Sequence, residues 1–443
     1  MQNDSFIAHL ATVESRWEAA LSFAGFDACV ISSGHSQTYF LDDQAVVFRA
    51  NPHFAQWLPN AEIHSSALLI QPGRRPRLFF YQPTDYWHQP PEVPTAAAGF
   101  EVEIHPDEDA LLSALQQAVL AMQANRIALV GEGPFDNFPV TEINPILLMN
   151  YLHHQRAYKT EFELDAMRKA TRKAIPGHAA ARAEFYAGGS EFAINLEYLA
   201  AARHTADELP YSNIVALNEH AGILHYQHYD RAPPAIVNSF LIDAGARVDG
   251  YASDITRTYA KDENGLYAEI ISRLDSAQRS LIETIRPGGA YLDLHVDMHR
   301  AIGRLLADTT IVKCTAESAF ETGITQRFMP HGLGHLLGLQ THDVGGHSAG
   351  VEGGHTPPPE QYPALRLTRP IEQAMVFTIE PGLYFIPQLL GELRSGSWAK
   401  DLNWPLLETL TACGGVRIED NVLVTERGVE NFTRDAFAAH EQA

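Results

Sequence analysis

Four acidic residues interrupt stretches that are otherwise apolar: Asp243 in NSFLIDAG, Asp254 in YASDITRTY, Glu380 in MVFTIEPGLYF and Glu419 in GGVRIEDNVLVT. A carboxylate inside an apolar strand is costly unless it is paired or holds a metal. One such acid is explained by a salt bridge or a strand end. Four in separate apolar strands need positive charge that the surrounding residues do not supply. Two divalent cations balance them, so these residue types point to a dinuclear metal centre.

Nitrogen is on offer in FMPHGLGHLLGLQTHDVGGHSAG, residues 328–350, which holds His331, His335, His342 and His347. His331 and His335 are four apart and would share one face of a helix. Pro330 and the neighbouring glycines disfavour a helix there, and an extended segment also puts both on one side. Gly338 could supply the bend that brings His342 to the same place. Oxygen-rich ligation suits Mn²⁺ or Mg²⁺, while imidazole admits Co²⁺ or Zn²⁺. The same stretch ends in Gly346-His347-Ser348-Ala349-Gly350, the pattern of a serine nucleophile elbow. That elbow needs a strand before it and a helix after it. VEGGHTPPPE follows instead, so Ser348 is read as loop. His220, His228 and His347 are read as surface residues.

The elements that must position these groups alternate in type. HLATVESRWEAALSFAG (9–25) has helical periodicity and stops at Gly25. DACVISSG (27–34) reads as a buried strand, SALLIQPGRRPRLFFYQ (66–82) as a hairpin, 108–124 as a helix and RIALVGE (126–132) as a strand. A proline-rich loop lies at 89–99. From 158 a long amphipathic helix begins with Thr160 as its cap, and Ser190 caps another over 191–203. NSFLIDAG and YASDITRTY look like an antiparallel pair joined by a tight connection. The domain boundary falls near 155–160, giving domains 1–157 and 158–443.

With 32 basic and 54 acidic residues the net charge is −22, which speaks against nucleic acid and against anionic membranes as partners. Three scattered cysteines imply no disulfide framework. No signal peptide or membrane span is apparent, and the expected location is the cytoplasm.

The order Asp243, Asp254, His335, Glu380, Glu419, in the phrases LIDAG, DITRTY, HGLGH, TIEPG and RIEDN, closely resembles the creatinase/aminopeptidase family with the pita-bread fold. That family includes methionine aminopeptidase, aminopeptidase P and prolidase. The motifs span roughly 158–435. FLDD, FRANPHF and WLPN near the start, and ENFTRD near the end, are similar to the bacterial Xaa-Pro dipeptidases, so the resemblance covers nearly the whole chain. It implies an α/β N-terminal domain followed by an α+β pita-bread catalytic domain.

The resemblance also implies roles. Asp243 would chelate one metal, Asp254 and Glu419 would bridge both, and His335 and Glu380 would complete the other site. A water activated by two divalent cations, with Mn²⁺ the first choice, would attack the scissile carbonyl while Glu380 shuttles the proton. His225, in ILHY, would steady the tetrahedral intermediate or the peptide nitrogen. His331 and His342 would touch substrate. Arg366, or alternatively Arg369, would clamp the carboxylate of a C-terminal proline. Arg417, two residues before Glu419, would bond substrate or orient ligands. Tyr211 and Asp43 are candidates for the pocket of the N-terminal residue, Asp43 coming from the neighbouring subunit of a homodimer. Charges at both ends would measure a dipeptide. The implied substrate is therefore an Xaa-Pro dipeptide, with aminopeptidase P action on longer peptides as the alternative. Related enzymes also hydrolyse organophosphorus triesters. Two departures touch specificity: QAVVFRANP follows FLDD, and Thr341 stands where valine is more usual.

Overall fold

The protein is described by a computed structural model covering residues 2–59, 63–135 and 138–442. Asn60, the end of WLPN, lies outside the described residues. The chain divides into two compact units. The first is Met1–Arg156 with Thr160–Glu163 and Ser348–Gly354; the second is Ala157–Lys159, Leu164–His347 and His355–Ala443.

In the first unit, α1 (Gln2–Ala24) ends at Gly25, whose φ of 74° is the left-handed value a glycine adopts without a Cβ clash. The strands are β1 (Ala28–Ser32), β2 (Ala67–Ile70), β3 (Arg77–Tyr81), β4 (Glu101–His105), β5 (Ile127–Val130) and β6 (Glu142–Ile143). They form one sheet in the order β4-β3-β2-β1-β5-β6. The expected hairpin is β2 against β3, and β1 runs parallel to β5. Trp17, Phe54 and Trp57 pack on one side of the sheet, while Leu111 and Leu115 of α2 (Glu108–Ala121) pack on the other. Strands β4 and β6 and helix α3 were not anticipated. Strand β4 is mostly exposed, so its residues EVEIH lack the apolar run of a buried strand. Helix α3 (Ile146–Arg156) buries only Leu148, Leu152 and Arg156, too sparse an apolar stripe to stand out.

The second unit holds most of α4 (Glu161–Ala187), whose start is a capping box. Thr160 N donates to Glu163 Oε2 at 2.7 Å and Glu163 N to Thr160 Oγ1 at 3.4 Å. Ser190 caps α5 (Glu191–Ala202) by accepting from Ala193 N. Strands β7 (Ile214–Leu217), β8 (Ser239–Asp243) and β9 (Thr256–Ala260) form an antiparallel sheet with β8 central, Asp243 facing Thr256. The connection from β8 to β9 is longer than expected. It carries its own ladder, with Tyr251 paired to Val248. That ladder turns at Asp249 and Gly250, both at positive φ, as a type I′ turn requires.

The remaining strands are β10 (Val376–Ile379), β11 (Gly382–Tyr384), β12 (Gly415–Arg417), β13 (Asp420–Val424) and β14 (Val429–Asn431). β10 pairs with β13, and β11 with β12. Both long sequence strands are thus broken at the same level, between the Ile379–Asp420 and Gly382–Arg417 pairs. Pro381 sits in one break and has no N–H to give the ladder. The expectation of acids in mid-strand is corrected accordingly. Only Asp243 is a strand residue, the last of β8; Asp254, Glu380 and Glu419 stand in breaks between paired segments. Behind them α6 (Leu266–Thr284) and α7 (Tyr291–Asp308) contribute Leu274, Ile282, Met298 and Ile302 to the main core with Phe377 and Val422.

Candidate metal centre

Each break supplies its acid's backbone with a partner outside the ladder. Glu419 N donates to Thr256 O and Glu380 N to Leu333 O, while Asp254 N reaches Asn421 Oδ1. The histidine segment runs extended beside β10, not as a helix: Thr378 N donates to His335 O and Leu337 N to Val376 O. Gly334 is required by this approach. A Cβ there would collide with the Thr378 backbone oxygen and the Tyr291 hydroxyl.

The ligating atoms of Asp254, His335 and Glu419 all lie within 4.8 Å of one another, and all three residues are buried. His335 Nε2 is 3.4 Å from Asp254 Oδ2 and 3.5 Å from Glu380 Oε1. His335 Nδ1 lies 3.0 Å from Leu336 O, a contact that needs the proton on Nδ1 and leaves the Nε2 lone pair free for a cation. Asp243 Oδ2 accepts from Arg417 Nη2 at 2.7 Å, whereas Asp243 Oδ1 is buried without a hydrogen-bond partner.

The electrostatics show too much negative charge. Burial pushes Asp243 up to about 6 and Glu380 up to about 7, and it raises Glu419 well above the carboxylate range with help from Asp254 and Glu380. Asp254 goes the other way. Against its burial, the His335 hydrogen bond and charge and the Tyr211 hydroxyl hold it low. Four carboxylates face Arg417 and one imidazole, so the set fits divalent cations: hard oxygen donors, one imidazole nitrogen, and an orphaned buried oxygen on Asp243.

Arg417 is wired into the protein. It donates to Asp243 Oδ2, to Tyr384 Oη at 2.9 Å and to Thr256 Oγ1 at 3.2 Å. Thr256 Oγ1 in turn donates to Glu419 Oε2 at 2.7 Å. Tyr384 Oη, accepting from Arg417, is left to donate to His331 Nε2 at 3.0 Å, and His331 Nδ1 lies 2.7 Å from Gly332 O. Burial and the Arg417 charge push His331 down to about 4, so it is neutral. The chain turns back after Gly338, and the His342 ring meets His335 edge-to-face with centroids 4.4 Å apart. His225 is exposed, and its charge is felt at both His331 and His342. Tyr211 donates to Asp254 Oδ1 at 2.6 Å, so the structure places it beside a carboxylate of the centre.

Arg366 is exposed and its charge reaches His342, while Arg369 is 1 % exposed and bonded to Glu372 and the Tyr158 hydroxyl. Asp43 is an exposed loop residue of the first unit and is not among the groups the second unit gathers. Ser348 lies in a loop, donates to Gly350 O and pairs with His154 Nδ1; the next helix begins only at Pro387. His220, read as a surface residue, bonds the buried Glu191. Sequence reasoning missed Tyr384, Thr256, Thr378 and Asn421. Three of them lie two residues from an acid of the centre, a spacing that would have revealed them.

A chain that gathers such residues has relatives. The description metallopeptidase family M24 matches residues 165–426, and the Xaa-Pro dipeptidase N-terminal domain matches residues 4–154. The chain belongs to metallopeptidase family M24, the pita-bread metallopeptidases. It is 44% identical over 441 residues to the Xaa-Pro dipeptidase of Xanthomonas oryzae pv. oryzae (strain MAFF 311018), covering 99% of this chain and 98% of that protein. It is 43% identical to the Xaa-Pro dipeptidase of Pseudoalteromonas haloplanktis, covering 97% and 98%. Among solved structures, the Pseudomonas aeruginosa aminopeptidase PepP superposes with a TM-score of 0.73 at 22% identity, over 98% of this chain and 99% of that one. E. coli aminopeptidase P with the inhibitor Pro-Leu gives 0.73 at 21%, over 98% and 99%. Among the described residues no helix is long and apolar enough to cross a membrane.

Proposed function

We propose that this protein hydrolyses Xaa-Pro dipeptides with a free C-terminal proline, using two divalent cations per chain. The observation that carries it is the convergence of Asp243, Asp254, Glu380, Glu419 and His335 with one buried carboxylate oxygen unpaired. Asp243, Asp254, Glu419, His335 and Glu380 would hold these cations through their carboxylate oxygens and one imidazole nitrogen. Bound cations, Mn²⁺ foremost with Co²⁺, Zn²⁺ or Mg²⁺ as substitutes, supply a water acidified to near neutral pH and polarise the carbonyl.

The protein's own groups do the rest. Glu380, a carboxylate beside His335 in the centre, is placed to take a proton and pass it to the leaving nitrogen. Neutral His331, fixed by Tyr384 and the Gly332 carbonyl, and His342 flank the substrate. His225 hydrogen-bonds the reacting peptide. Arg366, exposed and without an ion pair among the described residues, clamps the proline carboxylate; Arg369 is already committed to Glu372. Tyr211 orients Asp254 rather than lining the amine pocket, and Arg417 orients Asp243. Asp43, from the partner of a homodimer, meets the substrate amine. The curated relatives favour the dipeptidase over the aminopeptidase P alternative, since their names carry the higher identities. The domains correspond to 1–157 and 158–443, and the cytoplasm is the proposed location.

The test is hydrolysis of Gly-Pro against Gly-Pro-Ala with metal analysis of wild type and His335→Ala. Wild type should hold about two metals per chain and prefer Gly-Pro, while the variant loses metal and turnover together. Preference for the tripeptide would establish the aminopeptidase alternative. A side activity on organophosphorus triesters follows from the same chemistry, and no turnover of diisopropyl fluorophosphate would dismiss it.

A further inference from the structure

We propose that Glu191 is a positioning residue that fixes the loop carrying His225, an inference that rests on the role given to His225 above. Glu191 is the first residue of α5, where an acid ordinarily favours the helix dipole from a solvated position. Here it is 1 % exposed. Its carboxylate collects four donors. Oε1 accepts from Leu217 N at 2.9 Å and from His220 Nδ1 at 2.7 Å. Oε2 accepts from the Tyr226 hydroxyl at 2.8 Å and from Asp230 N at 2.9 Å.

Leu217 is the last residue of β7, and Asp230 closes the segment that follows it. One carboxylate therefore ties both ends of residues 217–230 and two side chains between them. Phe192 N returns a bond to Asp230 O, so the first turn of α5 and the loop end are locked from both sides. His225 directly precedes Tyr226, whose ring stacks on His220 at 4.4 Å between centroids. Asn218, Ala221 and Tyr229 anchor other parts of the loop, but around His225 itself Ile223, Gln227 and His228 are exposed and Tyr226 is the buried neighbour.

Glu191, His220 and Asp230 also lie close enough together to suggest a second metal cage. A carboxylate offers about four acceptor directions. All four here are taken by N–H and O–H donors, so the cluster is a clamp. A buried, fully satisfied polar hub of this kind specifies one geometry for what it holds.

The test compares Glu191→Gln, Tyr226→Phe, His225→Ala and the two double variants with His225→Ala, all as full-length metal-loaded enzyme. The readouts are kcat and KM on Gly-Pro, bound metal and the thermal transition. Glu191→Gln puts an NH₂ against donors, and Tyr226→Phe deletes one bond while keeping the ring. Each single clamp variant should lower kcat roughly 10-fold, as supporting-residue losses do. KM should move less and the metal content should be unchanged. Neither should add anything in the His225→Ala background. Losses that multiply with that of His225→Ala, or wild-type kcat in both clamp variants while His225→Ala is impaired, would overturn the clamp and leave the proposed function standing. Wild-type turnover by His225→Ala itself would remove the role of His225 and the clamp with it. Should Glu191→Gln fail to fold, the Tyr226→Phe cycle decides alone.

Discussion

Each acid in a strand break is accompanied two positions away by a polar residue on the same side: Thr256 beside Asp254, Thr378 beside Glu380, Arg417 and Asn421 flanking Glu419. Alternation along extended chain is what makes this spacing a shared face. Thr256 is the most consequential, since its hydroxyl joins Arg417 to Glu419. Thr256→Val keeps the volume and removes that link. It should lower metal affinity or kcat on the order of 10- to 100-fold, read by metal titration and dipeptide turnover. Unchanged binding and rate would show that Glu419 needs no orienting hydroxyl. The acids themselves were legible because carboxylates stand out against apolar neighbours. Tyr384 was not, because an aromatic in GLYF reads as core until its hydroxyl is seen between Arg417 and His331.

At the scale of elements, the centre depends on strands that stop pairing where chemistry is needed. Pro381 interrupts one long strand, and Ile418 N crosses to Pro381 O, so Glu380 and Glu419 leave the ladder together. The sequence showed two continuous strands because apolar runs carry no mark of where pairing lapses. The extended histidine segment, by contrast, was legible from Pro330 and its glycines. Gly334→Ala tests how closely it must approach β10. The added methyl meets the Thr378 carbonyl and the Tyr291 hydroxyl, so the variant should lose about 1–3 kcal/mol of stability and shift His335. Denaturant unfolding with bound-metal analysis checks this, and an unaltered midpoint would mean the segment can yield freely.

For the whole molecule, buried neutral histidines set an acid limit. His178 is fully buried against Ala244 O and burial holds it down at about 3; His295, beside His299, lies at about 2. In the unfolded chain each takes a proton near pH 6.5. The unfolded state thus binds more protons throughout the window from about 6.5 down to the folded values. The stability these two histidines allow is complete above that window and falls as pH drops, while the raised carboxylates Asp243, Glu380 and Glu419 of the metal-free centre act in the opposite sense. Between pH 7 and 5 each such histidine should cost roughly 2 kcal/mol. Denaturation of metal-free protein at both pH values, with His178→Gln as control, measures it; the variant should lose less on acidification, and an equal loss would refute the assignment. The alternation of helices and strands made two units readable from sequence. The grouping of Ser348–Gly354 with the first unit was not, because it rests on contacts nearly two hundred residues apart, such as Ser348 with His154.

The five side chains proposed as ligands come from segments scattered between residues 243 and 419. A zinc finger gathers its ligands within a short stretch, so metal can drive local folding. Here a nascent chain displaying Asp243, Asp254, His335 and Glu380 still lacks Glu419, which shares its bond to Thr256 across 163 residues. Cations held by this set would bind where distant segments have already met. Loading of the proposed centre would then be a separate event after synthesis, governed by which ions the surroundings hold at that moment.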